Sequence, residues 1–250
     1  MKTEVKKIII IGATSGIGFE LCKLYLQQGA IVGIAGRRED KLKAIQREYP
    51  EQIYSECIDV TAPDSSRLIQ NLIGKMGGMD VYVHCAGIGY QNPSLDPDKE
   101  LQTISTNCMG FTQSILTAYH YFEKKQKGQI VAITSIAGTK GLGIAPAYSA
   151  TKRMQNSYID ALDQLSRMNE SKIDFTDIRP GFVETALLNT EKSKYPLMMD
   201  VDFAARKIHK AIEKKARKAV IDWKFALLVF FWNLMPNWLW RRLPIKPKSK

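Results

Sequence analysis

Val5-Lys-Lys-Ile-Ile-Ile-Ile11 runs straight into Gly12-Ala-Thr-Ser-Gly16-Ile-Gly18. A β-branched run closed by glycine reads as a strand, Val5–Ile11, and the glycines open a helix near Gly16–Gln28. Gly12, Gly16 and Gly18 permit a tight turn, with Thr14, Ser15 and Ile17 filling it. The free N–H groups and positive dipole end of the first helical turn attract an anion. A dinucleotide pyrophosphate can sit there. The spacing is not Gly-x-Gly-x-x-Gly, so a helix start that merely needs glycine is the plainer alternative.

The same alternation continues outward. Further strands are expected at Ile31–Ala35, Ile53–Ile58, Val81–Cys85, Ile130–Thr134, Phe175–Ile178 and Ala219–Ile221. Helices are expected near Asp40–Glu48, Asp64–Met76, Lys99–Lys125, Tyr148–Met168 and Val201–Lys215, with Asp64 and Asp200 as candidate N-caps. Strands alternating with amphipathic stretches predict the α/β class. The expected form is a single doubly wound Rossmann-type domain over 1–222, with a seven-stranded, mostly parallel sheet and helices on both faces. An apolar and basic extension, 223–250, follows. Ligands of such sheets bind beyond the carboxyl ends of the strands. Every motif below falls at such an end.

After the second strand stands Ala35-Gly36-Arg37-Arg38, with no acid at the turn. An acid there would hold the ribose hydroxyls of NAD, whereas a guanidinium pairs with a ribose 2′-phosphate. The expectation is NADP(H) in preference to NAD(H), with Arg37 the main contact and Arg38 secondary. Two solvated arginines are the alternative. Asp59-Val60 ends the third strand, where a carboxylate can accept from an adenine amino group or simply make a turn. Ala86-Gly87 ends the fourth and leaves room for a ribose.

Ser135 closes the fifth strand, and Tyr148 and Lys152 follow it. Tyr-x-x-x-Lys alone recurs by chance, and Tyr121 and Lys125 repeat it in a charged run read as an exposed helix face. What distinguishes Tyr148 is Ser135 upstream and the glycine- and alanine-rich punctuation before it. Lys152 lies one helical turn beyond Tyr148, on the same face. A free phenol titrates near ~10. The ammonium, together with an oxidised nicotinamide, is expected to favour the phenolate and lower that value. Tyr148 would then move a proton at a carbonyl or alcohol oxygen that Ser135 also holds.

In these motifs the chain resembles the short-chain dehydrogenase/reductase family over about residues 5–222. Ile11-Gly12 and Gly16-Ile-Gly18 follow the family's glycine motif without its leading threonine. His84-Cys85-Ala86-Gly87 stands where the family has Asn-Asn-Ala-Gly, which removes two amides that brace the sheet. Ser135, Tyr148 and Lys152 match the catalytic residues, and Asn107 matches the helix asparagine. Pro180-Gly181-Phe-Val-Glu-Thr185 matches the Pro-Gly segment and its threonine. The resemblance implies that Lys152 and Tyr148 hold the nicotinamide ribose and that Asn107 anchors a water in a proton relay. It also implies that Pro180, Gly181, Val183 and Thr185 border the cofactor, and that the chain forms a homo-oligomer.

The 250 residues carry a net charge of +11, concentrated late in the chain. Because apolar, tryptophan-rich residues separate those cations, an anionic membrane surface suits them better than nucleic acid, which is not expected as a partner. Lys224 to Arg242 is shorter in apolar length than the ~20 residues a spanning helix needs. A peripheral interfacial hairpin over 223–242 is expected, with a dimer interface or a cap over the substrate as alternatives. The four cysteines, Cys22, Cys57, Cys85 and Cys108, lack metal-ligand spacing, so no metal is expected. Reduced thiols and the absence of a signal sequence at Met1–Lys7 fit a cytoplasmic protein, at the inner face of a membrane if the hairpin binds one.

Phe182–Asp200 is expected to cover the substrate. Leu142, Phe182, Leu187, Leu188 and Met198 are the candidate contacts, joined by Ile144, Tyr195, Leu197 and Met199. An apolar loop points to a lipid-like ketone or secondary alcohol, such as a long-chain keto-lipid. The alternatives are a soluble sugar, polyol or 3-oxoacyl dehydrogenase/reductase, and a nucleotide-sensing or membrane-scaffold protein without activity.

Overall fold

The computed structural model describes residues 5–185, 195 and 197–245. Its strands are β1 (Lys7–Ile11), β2 (Ile31–Gly36), β3 (Ile53–Cys57), β4 (Val81–His84), β5 (Lys127–Ile133), β6 (Lys172–Pro180) and β7 (Lys218–Ile221). They form one sheet in the order β3-β2-β1-β4-β5-β6-β7, every pair parallel. The chain winds from β1 outward to β3, then returns to place β4 on the other side of β1. That reversal opens a crevice between the ends of β1 and β4.

The helices are α1 (Gly16–Gln27), α2 (Glu39–Glu48), α3 (Ser65–Lys75), α4 (Pro97–Ile104), α5 (Phe111–Lys125), α6 (Pro146–Met168), α7 (Val201–Glu213), α8 (Trp223–Leu234) and α9 (Asn237–Trp240). Ile8 and Ile10 of β1 join one core with Leu21, Ile208 and Ile212, while Ile9 and Ile11 join a second with Leu72, Phe111 and Ile115. All four β1 isoleucines are fully buried. A strand covered on both faces therefore shows no polar alternation, and each such side chain contributes roughly 1.5–3 kcal/mol.

The expected helix at 99–125 is α4 and α5 joined by a π-helical turn, Ser105–Gly110. It starts earlier, at Pro97, because Asp96 caps it by accepting from the Asp98 N–H at 3.1 Å. Pro146 likewise starts α6 before Tyr148. Asp64 and Asp200 occupy N-cap positions, but neither side chain bonds the helix backbone. The second Tyr-x-x-x-Lys is not wholly exposed: Tyr121 is half-buried and its hydroxyl accepts from the Met79 N–H at 2.9 Å.

Beyond β7, Asp222 caps α8 by accepting from the Lys224 N–H. Phe225 and Val229 of α8 enter the first core. Lys140 donates to the Met235 carbonyl and to Asn237 Oδ1, both at 3.0 Å, and the Trp240 indole donates to the Gly141 carbonyl at 2.7 Å. These bonds strap the extension to the loop that follows Ser135. No described helix is long and apolar enough to cross a membrane.

Candidate active site

The crevice between β1 and β4 is built on close backbone approach. Gly12 has φ +90°, and a Cβ on it would lie 2.7 Å from the Ala86 nitrogen. A Cβ on Gly18 would lie 2.3 Å from the Gly12 carbonyl oxygen, so α1 packs directly on the turn. Thr185 reaches over the turn from the other side, its methyl 3.2 Å from where a Gly16 Cβ would stand. The N-terminus of α1, with Ser15 as its N-cap and Ile17 in its first turn, faces this cradle, and a pyrophosphate fits it.

Arg37 and Arg38 are both exposed at the end of β2. Arg38 folds back onto the turn, donating to Thr14 Oγ1 at 2.5 and 3.1 Å and to Ser15 Oγ at 2.7 Å. Arg37 acts on Asp59 through its charge. Asp59 Oδ1 accepts from the Thr61 N–H and hydroxyl at 2.9 and 2.7 Å. Partial burial pushes the Asp59 carboxyl up, but those bonds and Arg37 outweigh it, and its pKa falls below the ordinary value. Val60 is buried and packs on Gly110 of the π-helical turn.

Asn107 and Lys152 lie beside Gly87, Tyr148 lies against Gly89, and Ser135 meets Tyr148. Ser135 follows β5, and its Oγ accepts from the Ala137 N–H at 3.0 Å. It also forms a hydrogen-bonding contact with the Tyr148 phenol, which favours the phenolate. Lys152 lies with its Nζ 5.8 Å from the Tyr148 ring centre and about one contact distance, 3.6 Å, from where a Gly87 Cβ would stand. Burial dominates the Tyr148 pKa, which rises, with Ser135 opposing the rise. In the chain itself the Lys152 ammonium does not offset this burial, because it bonds elsewhere. Lys152 donates to the Ile133 carbonyl at 3.1 Å and to Gln155 Oε1 at 3.0 Å. Burial lowers the Lys152 pKa to about 8, opposed by the nearby Cys85, Asp177 and Cys108.

Asn107 is fully buried, and the π-helical turn presents it inward. Its side chain accepts from the Ile88 N–H at 2.9 Å and donates to the Ile88 carbonyl at 2.7 Å and Thr151 Oγ1 at 3.1 Å. Its carbonyl accepts from Gln155 Nε2 at 2.8 Å. Gln155 thus bridges Lys152 and Asn107, a link that the sequence reading missed. Its place on the Tyr148 and Lys152 face of α6 was the available signal. Gly89 was also missed: a Cβ there would lie 2.5 Å from Tyr148 Cδ2.

His84, in place of a bracing amide, is buried with Nδ1 3.3 Å from the Tyr82 hydroxyl. Burial, with the Lys152 charge, lowers its pKa to about 3, so it is neutral. On β6, Asp177 accepts from Thr134 Oγ1 at 2.6 Å and from Arg179 Nε at 2.7 Å in a buried network below the site.

In the loop expected to cover substrate, the Phe182 ring packs at a tilt against Tyr195 and edge-to-face with Phe225, at centroid distances of 4.7 and 5.9 Å. A Cβ on Gly181, after Pro180, would strike the Phe225 ring at 2.3 Å, so this glycine also seats α8. Met199 is buried and bridges to Val183, packing the loop rather than lining a cleft. Leu142, Ile144 and Met198 are half-buried, and Leu197 is exposed. Leu187 and Leu188 lie outside the described residues.

Residues 6–196 match the family model described as short chain dehydrogenase. An uncharacterised oxidoreductase of Myxococcus xanthus is 27% identical over 235 residues, covering 92% of each chain. Many solved structures share the fold. An alcohol dehydrogenase of Thermococcus sibiricus complexed with 5-hydroxy-NADP has a TM-score of 0.75 at 21% identity, covering 87% of this chain and 96% of its own. A 3-ketoacyl-(acyl-carrier-protein) reductase of Brucella melitensis complexed with NADH has 0.77 at 22%, covering 88% and 97%. With the matched span holding the glycine turn and the Ser135, Tyr148 and Lys152 cluster, the chain belongs to the short-chain dehydrogenase/reductase family, oxidoreductases that work with a nicotinamide dinucleotide.

Proposed function

We propose that the protein moves a hydride between NADP(H) and the carbon of an apolar ketone or secondary alcohol. The observation that carries this reading is the clustering of Ser135, Tyr148 and Lys152, with Ser135 on the Tyr148 phenol, Lys152 near its ring and beside Gly87, and Tyr148 against Gly89. The turn at 12–18 would hold the pyrophosphate, and Arg37, with Arg38 released from Thr14, the 2′-phosphate. Asp59 and Val60 border the adenine, Ala86 and Gly87 the ribose, and Pro180, Gly181, Val183 and Thr185 the nicotinamide. When bound, the nicotinamide supplies or accepts the hydride.

Burial keeps Tyr148 protonated, the state a proton donor needs, while Ser135 stabilises charge that develops on the reacting oxygen. Lys152 has three N–H donors, and two are taken by Ile133 and Gln155, leaving one for a ribose hydroxyl. The T. sibiricus enzyme is described with an NADP derivative, which supports the NADP(H) reading, while the B. melitensis reductase is described with NADH. The half-buried Phe182, Leu142 and Met198 support an apolar substrate.

Residues 1–222 form the catalytic domain in this reading, and 223–242 make peripheral contact with an anionic membrane from the cytoplasmic side. Exposed Leu101, Met109 and Leu116 on α4–α5 support a homo-oligomer. Oxidation of NADPH measured across acyl, steroid and sugar ketones tests the substrate class. Tyr148→Phe is expected to abolish turnover while leaving NADPH affinity within about threefold, since the ring remains and only the donor is lost. Retained turnover would overturn the mechanism.

A further inference from the structure

A cleft of about 920 Å³ lies between α6, the loop after Ser135 and the C-terminal extension, remote in the chain from the glycine turn. Lys140, Arg153 and Arg241 line it, together with Thr139, Asn237 and Trp240, and no carboxylate does. Among the described residues, none of the three cations has a carboxylate in ion-pairing distance. Like charges facing one cavity repel, and an anion placed among them relieves that repulsion. Arg153 donates one N–H to the Thr139 carbonyl at 2.7 Å, and Lys140 two to the extension, leaving further donors on both. Thr139 is buried, and its hydroxyl oxygen has no partner among the described residues. An acceptor-rich, negatively charged group suits this set of donors.

The extension that lines the cleft through Asn233, Asn237, Trp240 and Arg241 also carries an exposed apolar surface. Trp223, Leu227, Phe230, Phe231 and Leu234 recur at helical spacing on α8 and are exposed, while Phe225 and Val229 on its other side are buried. Trp238, Leu239 and Leu243 extend this surface around Arg241. Aromatic and aliphatic side chains next to cations are the chemistry of a bilayer interface, where acyl chains meet charged headgroups. We infer that the cleft of Lys140, Arg153 and Arg241 seats the phosphate headgroup of an anionic phospholipid, with the α8–α9 surface lying in the acyl boundary. This rests on the membrane contact proposed above and assigns its recognition element.

Arg242 supplies the control. It neighbours Arg241 and loses the same charge on substitution, but it lies over the Trp238 ring at 5.7 Å and does not line the cleft. The full chain is sedimented with vesicles of phosphatidic acid in phosphatidylcholine and with phosphatidylcholine alone. Wild type should bind the anionic vesicles preferentially. Arg242→Gln should weaken this about fivefold, the effect of one basic residue near an anionic surface. Arg241→Gln, and independently Arg153→Gln, should each cost about tenfold more than that, because hydrogen bonds to a charged phosphate are lost as well.

All four tryptophans lie in the extension, so intrinsic fluorescence reports on it, and NADPH affinity checks that each variant is folded. Equal losses in the Arg241 and Arg242 variants would overturn the headgroup site while leaving membrane contact intact. Failure of wild type to bind either vesicle would overturn the membrane reading itself. Saturable fluorescence changes with inorganic phosphate, lost in Arg241→Gln and unaccompanied by vesicle binding, would replace the lipid with a soluble phosphate ligand.

Discussion

Gln155→Leu removes an acceptor from one of the few buried cations among the described residues. Lys152 is 5% exposed, and its pKa already lies near 8 because burial disfavours the ammonium. A hydrogen bond to a charged group contributes about 1.5–3 kcal/mol, and one pKa unit corresponds to about 1.4 kcal/mol. Losing the 3.0 Å bond to Gln155 Oε1 should therefore lower the Lys152 pKa by about one to two units further. The sign follows from the charge: an acceptor favours the protonated amine, and its removal favours the neutral one. The alkaline limb of kcat/KM against pH, measured by NADPH oxidation with the best ketone of the panel, should move to lower pH by that amount.

Gln155→Glu should move the same limb to higher pH, since a carboxylate beside the ammonium holds its proton. A role confined to packing cannot produce opposite shifts from two substitutions of similar size. Thermal melting verifies that both variants fold. If the limb stays in place for both, or moves the same way in both, Gln155 does not position the Lys152 charge.

The other predictions are independent of that one. Arg37→Ala should reduce the ratio of NADPH to NADH affinity at least about tenfold, the loss of a charge-assisted bond; an unchanged ratio in fluorescence titration refutes the 2′-phosphate assignment. Gly89→Ala places a Cβ against the Tyr148 ring and should lower kcat about a hundredfold through displacement of the phenol, with NADPH affinity retained. Wild-type kcat would show that the ring yields without cost. Asp177→Ala leaves Arg179 buried and unpaired and should destabilise the fold by about 3–5 kcal/mol in urea denaturation; a loss below about 1 kcal/mol would mean that water or Thr134 compensates.

The repeating units of this fold are local, and they are legible for that reason. Four consecutive isoleucines buried on both faces of β1 announce a central parallel strand, and Gly12, Gly16 and Gly18 announce the turn after it. Element ends were less legible. Asp96 and Pro97 start α4 ahead of its expected first residue, because the cap depends on two residues rather than on an apolar period. The π-helical turn that aims Asn107 inward has no periodic signature, and neither does the contact that makes Gly89 necessary.

Residue order alone predicts the class of sheet and the strand ends where the motifs gather, and it singles out Ser135, Tyr148 and Lys152 as candidates. Each of these follows from spacing along a strand or one helical turn. What those groups do to one another was set by long-range packing. It gave the Lys152 ammonium to Ile133 and Gln155 and left burial to set the Tyr148 proton. It laid Arg38 on Thr14, and it brought Lys140 and Arg153 to one cleft with Arg241. Those outcomes depend on desolvation and on partners far apart in the chain, and neither quantity is written in the order of residues.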